Sequence, residues 1–151
     1  MKTEIILMRR NADFPKFLPK KQFINFLYTN LQKYRDSEED IAKAVDYAFS
    51  NEKGKGGFLL AAINDGIVFG ELVINDSGMS GYIPEHVLVY IAVSPNHRGK
   101  GIGKKLVQKA IDICKGDISL HVEYDNPAID IYKNIGFTTK YAEMRYRNKG
   151  T

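Results

Sequence analysis

The segment Ser94-Pro95-Asn96-His97-Arg98-Gly99-Lys100-Gly101-Ile102-Gly103-Lys104-Lys105 carries the densest chemical signal in the chain. Glycines alternate with basic and apolar residues between an apolar run, 87–93, and an amphipathic stretch, 101–114. Glycine turns tightly and lets a ligand approach the backbone without a Cβ in the way. The start of a helix adds free N–H groups and the positive end of a dipole. Arg98, Lys100, Lys104 and Lys105 add charge. Together these are the parts of a pyrophosphate cradle. Two other phosphate loops fit poorly. A nucleotide P-loop needs Gly-x4-Gly-Lys-Ser/Thr, which is absent, and the dinucleotide fingerprint needs a glycine at the position of Lys104. The plain alternative is a glycine-rich strand-to-helix turn that binds nothing.

The elements that position this loop follow from periodicity. Residues 4–8 read as a short strand. From Lys20 to Tyr34, Phe23, Phe26, Leu27, Leu31 and Tyr34 form a helical stripe. Ser37, followed by Glu38, Glu39 and Asp40, predicts a capped second helix with Ile41, Ala44, Val45, Ala48 and Phe49 inward. Strands 58–63 and 67–74 flank Asn64-Asp65-Gly66, a strong hairpin signal. After a loop over 75–85, the β-branched run 87–93 reads as a strand buried on both faces. A helix over about 101–114 follows, then a strand over 118–124. Asn126-Pro127 opens the next helix, Gly136 ends it, and 137–147 predicts a last strand. The order is β-α-α-β-β-β-α-β-α-β, with a strand-helix-strand crossover near 87–124.

Two stretches resemble the GCN5-related N-acetyltransferase (GNAT) family. Arg98-x-x-Gly101-x-Gly103, after Ile91-Ala92-Val93-Ser94-Pro95, is similar to that family's acyl-CoA loop. Asn126 to Phe137, with Tyr132 and Gly136-Phe137, is similar to its Asn-…-Tyr-x3-Gly-Phe segment. The element order matches as well. The resemblance implies an α/β (α+β) fold: a mixed, mostly antiparallel central sheet with splayed parallel strands and flanking helices, in one domain over 1–151. It implies an N-acetyltransferase that moves an acetyl group from acetyl-CoA directly to an amine acceptor, with no metal. Backbone groups of Ile91, Ala92 and Val93 would hydrogen-bond the pantetheine arm. N–H groups of Arg98, Gly99, Lys100, Gly101, Ile102, Gly103 and Lys104 would hold the pyrophosphate. Asn126 would reach the pantetheine or cap its helix. Tyr132 would protonate the departing thiolate, or else it belongs to the core.

An acceptor amine with a pKa of roughly 10 must lose a proton before attack. The resemblance places the base on or just before the strand ending at Val93, which makes Glu85 the first candidate, His86 the second and Glu71 the third. Some family members carry the acid where this chain has Val87. Strict alternation puts His86, Leu88 and Tyr90 on one face, and a bulge would break that count. His121 reads as a core or interface histidine, and Cys114 as a packed small residue rather than a nucleophile. The acceptor is expected against Phe26, Tyr28, Tyr34 and the 75–86 loop. Tyr141, Met144 and Tyr146 on the last strand fit a homodimer as well as a monomer.

Composition bounds these readings. The 151 residues carry a net charge of +4 and are 44% hydrophobic, enough for a core. The charge is sorted: 1–55 has a net +3, 56–97 has no Lys or Arg and a net −4, and 98–151 has a net +5. A small basic nucleic-acid-binding domain would interleave aromatics with its basic residues, and 98–109 contains none. A CoA-binding regulatory module without turnover is the other alternative, and Tyr132 argues against it. No apolar run reaches membrane-spanning length, the first residues lack a signal-peptide pattern, and one cysteine forms no internal disulfide, so a cytoplasmic protein is expected.

Overall fold

The computed structural model describes residues 2–149. Five strands, β1 (Glu4–Met8), β2 (Gly57–Asn64), β3 (Ile67–Asp76), β4 (His86–Val93) and β5 (Ile118–Leu120), form one sheet in sequence order. The first four are antiparallel to their neighbours, and β5 pairs parallel to β4. The turn between β2 and β3 has the expected hairpin form, with Asp65 and Gly66 at φ 51° and 73°.

Helices α1 (Lys20–Asn30) and α2 (Glu38–Ala48) pack on one face, and α3 (Ile102–Ile113) and α4 (Ala128–Ile135) on the other. Alternation along the strands makes this division. Leu59, Ala61, Val73, Tyr90 and Ala92 meet Phe23, Leu27, Ile41 and Val45. Phe58, Leu60, Ala62, Leu72, Ile74 and Leu88 meet Leu106, Val107, Ala110 and Tyr132. The Ser37 hydroxyl caps α2 by accepting from Asp40 N at 3.1 Å.

Several expected elements differ. Helix α1 stops at Asn30, and Gln32 turns left-handed with φ 55°, so 31–37 becomes a loop with a single 3-10 turn. Strand β5 is only Ile118–Leu120, against the expected 118–124. The last strand expected over 137–147 is absent: after Phe137 the chain is exposed, with Tyr141 at 84%, Met144 at 92% and Tyr146 at 88%. The second of these strand changes follows from the first. A strand needs a ladder partner, and a three-residue β5 presents too short an edge to pair another.

The β4 bulge is the feature that shapes the centre. Val73 faces Tyr90 but Ile74 faces Leu88, so Val89 is the extra residue. Leu88 therefore packs on the α3/α4 face and Tyr90 on the α1/α2 face, where strict alternation put them together.

Glu71 lies in the middle of β3, paired between Ala61 of β2 and Ala92 of β4. Those alanines fix its side chain on the α1/α2 face. It is fully buried, and neither carboxylate oxygen has a hydrogen-bond partner. Burial of an unpaired charge is costly, and it raises the carboxyl well above its ordinary value of 4.5. Above that ordinary value the native protein keeps a proton that the unfolded chain has lost. Stability from this group is therefore complete at low pH and falls as pH rises toward the raised native value, by at most about 1.4 kcal/mol per pH unit. Glu71→Gln cannot titrate and is expected to lose that slope. Urea unfolding of both proteins at about pH 5 and about pH 8 checks this, since parallel pH dependence of the two would contradict it.

Candidate active site

The β4–β5 ladder holds only three pairs, from His86–Ile118 to Leu88–Leu120. It ends at the Val89 bulge. Past it, β4 continues to Val93 on β3 alone, while the other chain leaves the sheet as 121–126 and enters α4. The two strands part and leave a cleft, one wall of which is a free β4 edge at 89–93. Free edge N–H and C=O groups accept an extended ligand as an added strand. Ile91, Ala92 and Val93 all lie on this stretch, the Val93 carbonyl already accepting from Arg98.

At the end of that wall sits the glycine loop. Pro95–His97 makes a 3-10 turn, pinned by a Ser94 Oγ–His97 Nδ1 contact of 2.6 Å and by His97 stacked on Phe69 at 3.8 Å. Gly99 and Gly101 then take φ 76° and 81°, which side chains with a Cβ rarely adopt. Gly101 is the residue before α3, and no side chain caps that helix. The first-turn N–H groups of Ile102, Gly103 and Lys104 have no carbonyl one turn earlier in the helix to bond. Lys100, Lys104 and Lys105 are exposed around them. The Arg98 guanidinium is used differently. Its Nε donates to Val93 O at 3.0 Å and its Nη2 to Asn30 O at 3.1 Å, tying the exit of β4 to the end of α1.

The opposite wall carries α4. Asn126 Oδ1 accepts from Ala128 N at 2.9 Å, so Asn126 does cap the helix, with Pro127 next. Tyr132 is 7% exposed, set edge-on to Phe137 with ring centroids 5.9 Å apart. Burial raises its phenol to about 12.

The loop 31–37 crosses the cleft on the α1/α2 face. Tyr90 of β4 donates to Asp36 Oδ2 at 2.6 Å, and burial together with Asp36 pushes the Tyr90 phenol up. On the other wall Lys33 Nζ lies 2.8 Å from Asp125 Oδ2, and the Tyr34 phenol donates to Asp125 O at 3.3 Å. Glu71, opposite Ala92, faces this same side.

Glu85, the first candidate base, lies at the other end of the strand pair. It precedes the closed β4–β5 ladder, away from the parting strands, and its carboxylate accepts from Gly81 N at 3.0 Å and Asp117 N at 2.8 Å. Those bonds lower its pKa, so it is a weaker base than an ordinary glutamate. It staples the 77–85 loop to the turn before β5. His86 shares that end, with Nδ1 2.8 Å from Asp76 Oδ1. The 75–86 loop likewise lies at the closed end, whereas Tyr34 borders the cleft. Cys114 is half-buried and its thiol is raised to about 11, mainly by burial, which makes it unreactive. What position in the sequence did not show is the burial of Glu71; its one signal was an acid within an otherwise apolar strand. Among the described residues no group of three or more His, Cys, Asp or Glu could hold a metal, and no helix is long and apolar enough to cross a membrane.

Comparison with known proteins bears on the fold and the family. The chain is similar to N-alpha-acetyltransferase 30 of Schizosaccharomyces pombe, with 26% identity over 86% of this chain and 87% of that one. In three other curated relatives, among them the mycothiol acetyltransferase of Catenulispora acidiphila, the match spans 25% or less of their length, and in the N-alpha-acetyltransferase RimI of Mycobacterium tuberculosis it spans 40%. Among solved structures, an integron cassette protein from V. cholerae superposes with a TM-score of 0.67 at 25% identity, over 99% of this chain and 94% of that one. A ribosomal-protein-alanine N-acetyltransferase from Brucella melitensis biovar Abortus 2308 has the same fold, with a TM-score of 0.68 at 18% identity over 98% and 100% of the two chains. The model for the Acetyltransferase (GNAT) family matches residues 22–137, including both walls of the cleft, and the chain belongs to that family.

Proposed function

We propose that the protein is an N-acetyltransferase that uses acetyl-CoA and acetylates an amine directly in the cleft between β4 and α4. The observation that carries this is the juxtaposition of three features along one groove: a free β4 edge, an uncapped helix start behind a glycine loop, and a buried phenol on the far wall. These features match in kind the parts of a ligand with a diphosphate at one end, an amide-bearing arm in the middle and a sulfur at the other. A bound thioester supplies an activated acyl carbon and a leaving group of modest basicity.

The residues divide the work. The first-turn amides of α3, together with Gly99 to Gly101, hold the phosphates. Ile91, Ala92 and Val93 hydrogen-bond the amide arm and leave backbone N–H groups to stabilise negative charge growing on the acyl oxygen. Tyr132 faces the sulfur side. A phenol at about 12 keeps its proton at neutral pH, whereas a thiol loses its own at roughly 8.5. Full proton transfer to the thiolate is therefore uphill, and Tyr132 acts by donating a hydrogen bond to the departing sulfur. Glu71 lies on the α1/α2 side, beside Ala92, and takes the proton of the attacking amine directly or through water. Its raised pKa makes it a better base near neutral pH than Glu85. Glu71, together with Asp36 of the roof loop 31–37, makes this side suited to a cationic acceptor. The exposed Tyr141, Met144 and Tyr146 support a homodimer in which this segment finds its strand partner on a second copy.

Thiol release from acetyl-CoA across an amine panel tests the reading. Tyr132→Phe is expected to lower kcat about 100-fold while CoA affinity is kept; wild-type kcat in that variant would remove Tyr132 from the chemistry. Glu71→Gln is expected to lower kcat by a similar factor and to abolish the acidic limb of the kcat/KM profile. In the wild type that limb lies above the ordinary carboxylate value of 4.5, with activity rising as Glu71 ionises. An unchanged limb in Glu71→Gln would assign the base elsewhere.

A further inference from the structure

The roof loop holds an ammonium at the rim of the cleft. Lys33 Nζ is 2.8 Å from Asp125 Oδ2 and 5.1 Å from the centroid of the Tyr34 ring, and the Tyr34 hydroxyl is anchored on Asp125 O. A carboxylate and an aromatic face are the two groups that recognise an organic cation. Asp125 directly precedes Asn126, the cap of the helix that carries Tyr132. The same loop reaches the other wall through Asp36 and Tyr90. Glu71 lies buried on the same α1/α2 side of the sheet.

The Lys33–Asp125 pair is 92 residues apart in sequence, and its side chains are 66% and 65% exposed. Exposed pairs of this kind are weak and screened by salt, so another ammonium can replace Lys33. We propose that Asp125 and Tyr34 form the entry subsite for the ammonium of the acceptor, and that Lys33 is an internal occupant which the acceptor displaces. This rests on the acetyltransferase reading of the cleft. Asp125 and Tyr34 thereby select acceptors whose amine is charged on arrival, and Lys33 sets how strongly a weak amine must compete.

The test uses butylamine, the side-chain amine of lysine, with acetyl-CoA. Two quantities are read: KM from thiol release, and Kd from an NMR titration of the CoA-loaded protein. Lys33→Met is expected to lower both about threefold, and Asp125→Asn to raise both by a similar factor. In an Asp125→Asn background, Lys33→Met should change neither, because the competitor has lost its site. Lys16→Met removes the same charge at an exposed position away from the cleft and serves as the control. The proposal is overturned if Lys33→Met leaves both constants unchanged or raises them, if its effect persists in Asp125→Asn, or if Lys16→Met reproduces it. If the wild type releases no thiol with any amine, the transferase reading fails instead, and the NMR titration still decides the subsite.

Discussion

The structure depends on the Val89 bulge and on the ladder that stops beside it. One extra residue in β4 turns Tyr90 to the α1/α2 face, whereas Leu88 stays on the α3/α4 face. Pairing with β5 ends at Leu88–Leu120. A parallel sheet that remained zipped would bury these backbone groups in hydrogen bonds and leave nothing to bind with. By parting, the two strands turn five residues of buried-sheet backbone into a one-sided edge inside an otherwise complete core. The cost of an unpaired edge is the condition for a site there.

The two faces of the parted strands supply opposite chemistry. The α3/α4 side brings helix start, glycines, lysines and the Tyr132 phenol. The α1/α2 side brings Glu71, Tyr90 and a roof loop fastened to both walls. Small residues make the carboxylate possible: Ala61 and Ala92 on the neighbouring strands leave room for Glu71 where larger side chains would fill the layer. The buried, unpaired carboxyl is a stability cost, and because such costs concentrate at functional sites it motivates the role proposed for Glu71.

Much of this was legible from residue types alone. Positive φ at Gly99 and Gly101 follows from the missing Cβ, which lets glycine adopt it without strain, so the loop could be read directly. The same holds for the Asp65-Gly66 turn, the Ser37 cap and the Asn126-Pro127 helix start. What was hidden depends on partners distant in sequence. The 137–147 segment is rich in strand-forming residues such as Phe137, Thr138, Thr139, Tyr141 and Tyr146, but composition describes side chains and not the presence of a neighbour. Helix α1 ends at Asn30 without a glycine to mark it, so the roof loop as far as Tyr34 was read as helix. Glu85 stood at a plausible position, yet two backbone N–H groups already occupy it, while burial gives Glu71 its basicity. Neither fact is visible in one dimension.

The most direct test of the parted ladder is amide hydrogen exchange with and without CoA. The account predicts that bound CoA slows exchange at the β4 edge, at Ile91, Ala92 or Val93, and in the first turn of α3, while His86 to Leu88 change little because they are already paired. Protection confined to other parts of the chain, with the β4 edge and the start of α3 unaltered, would contradict it.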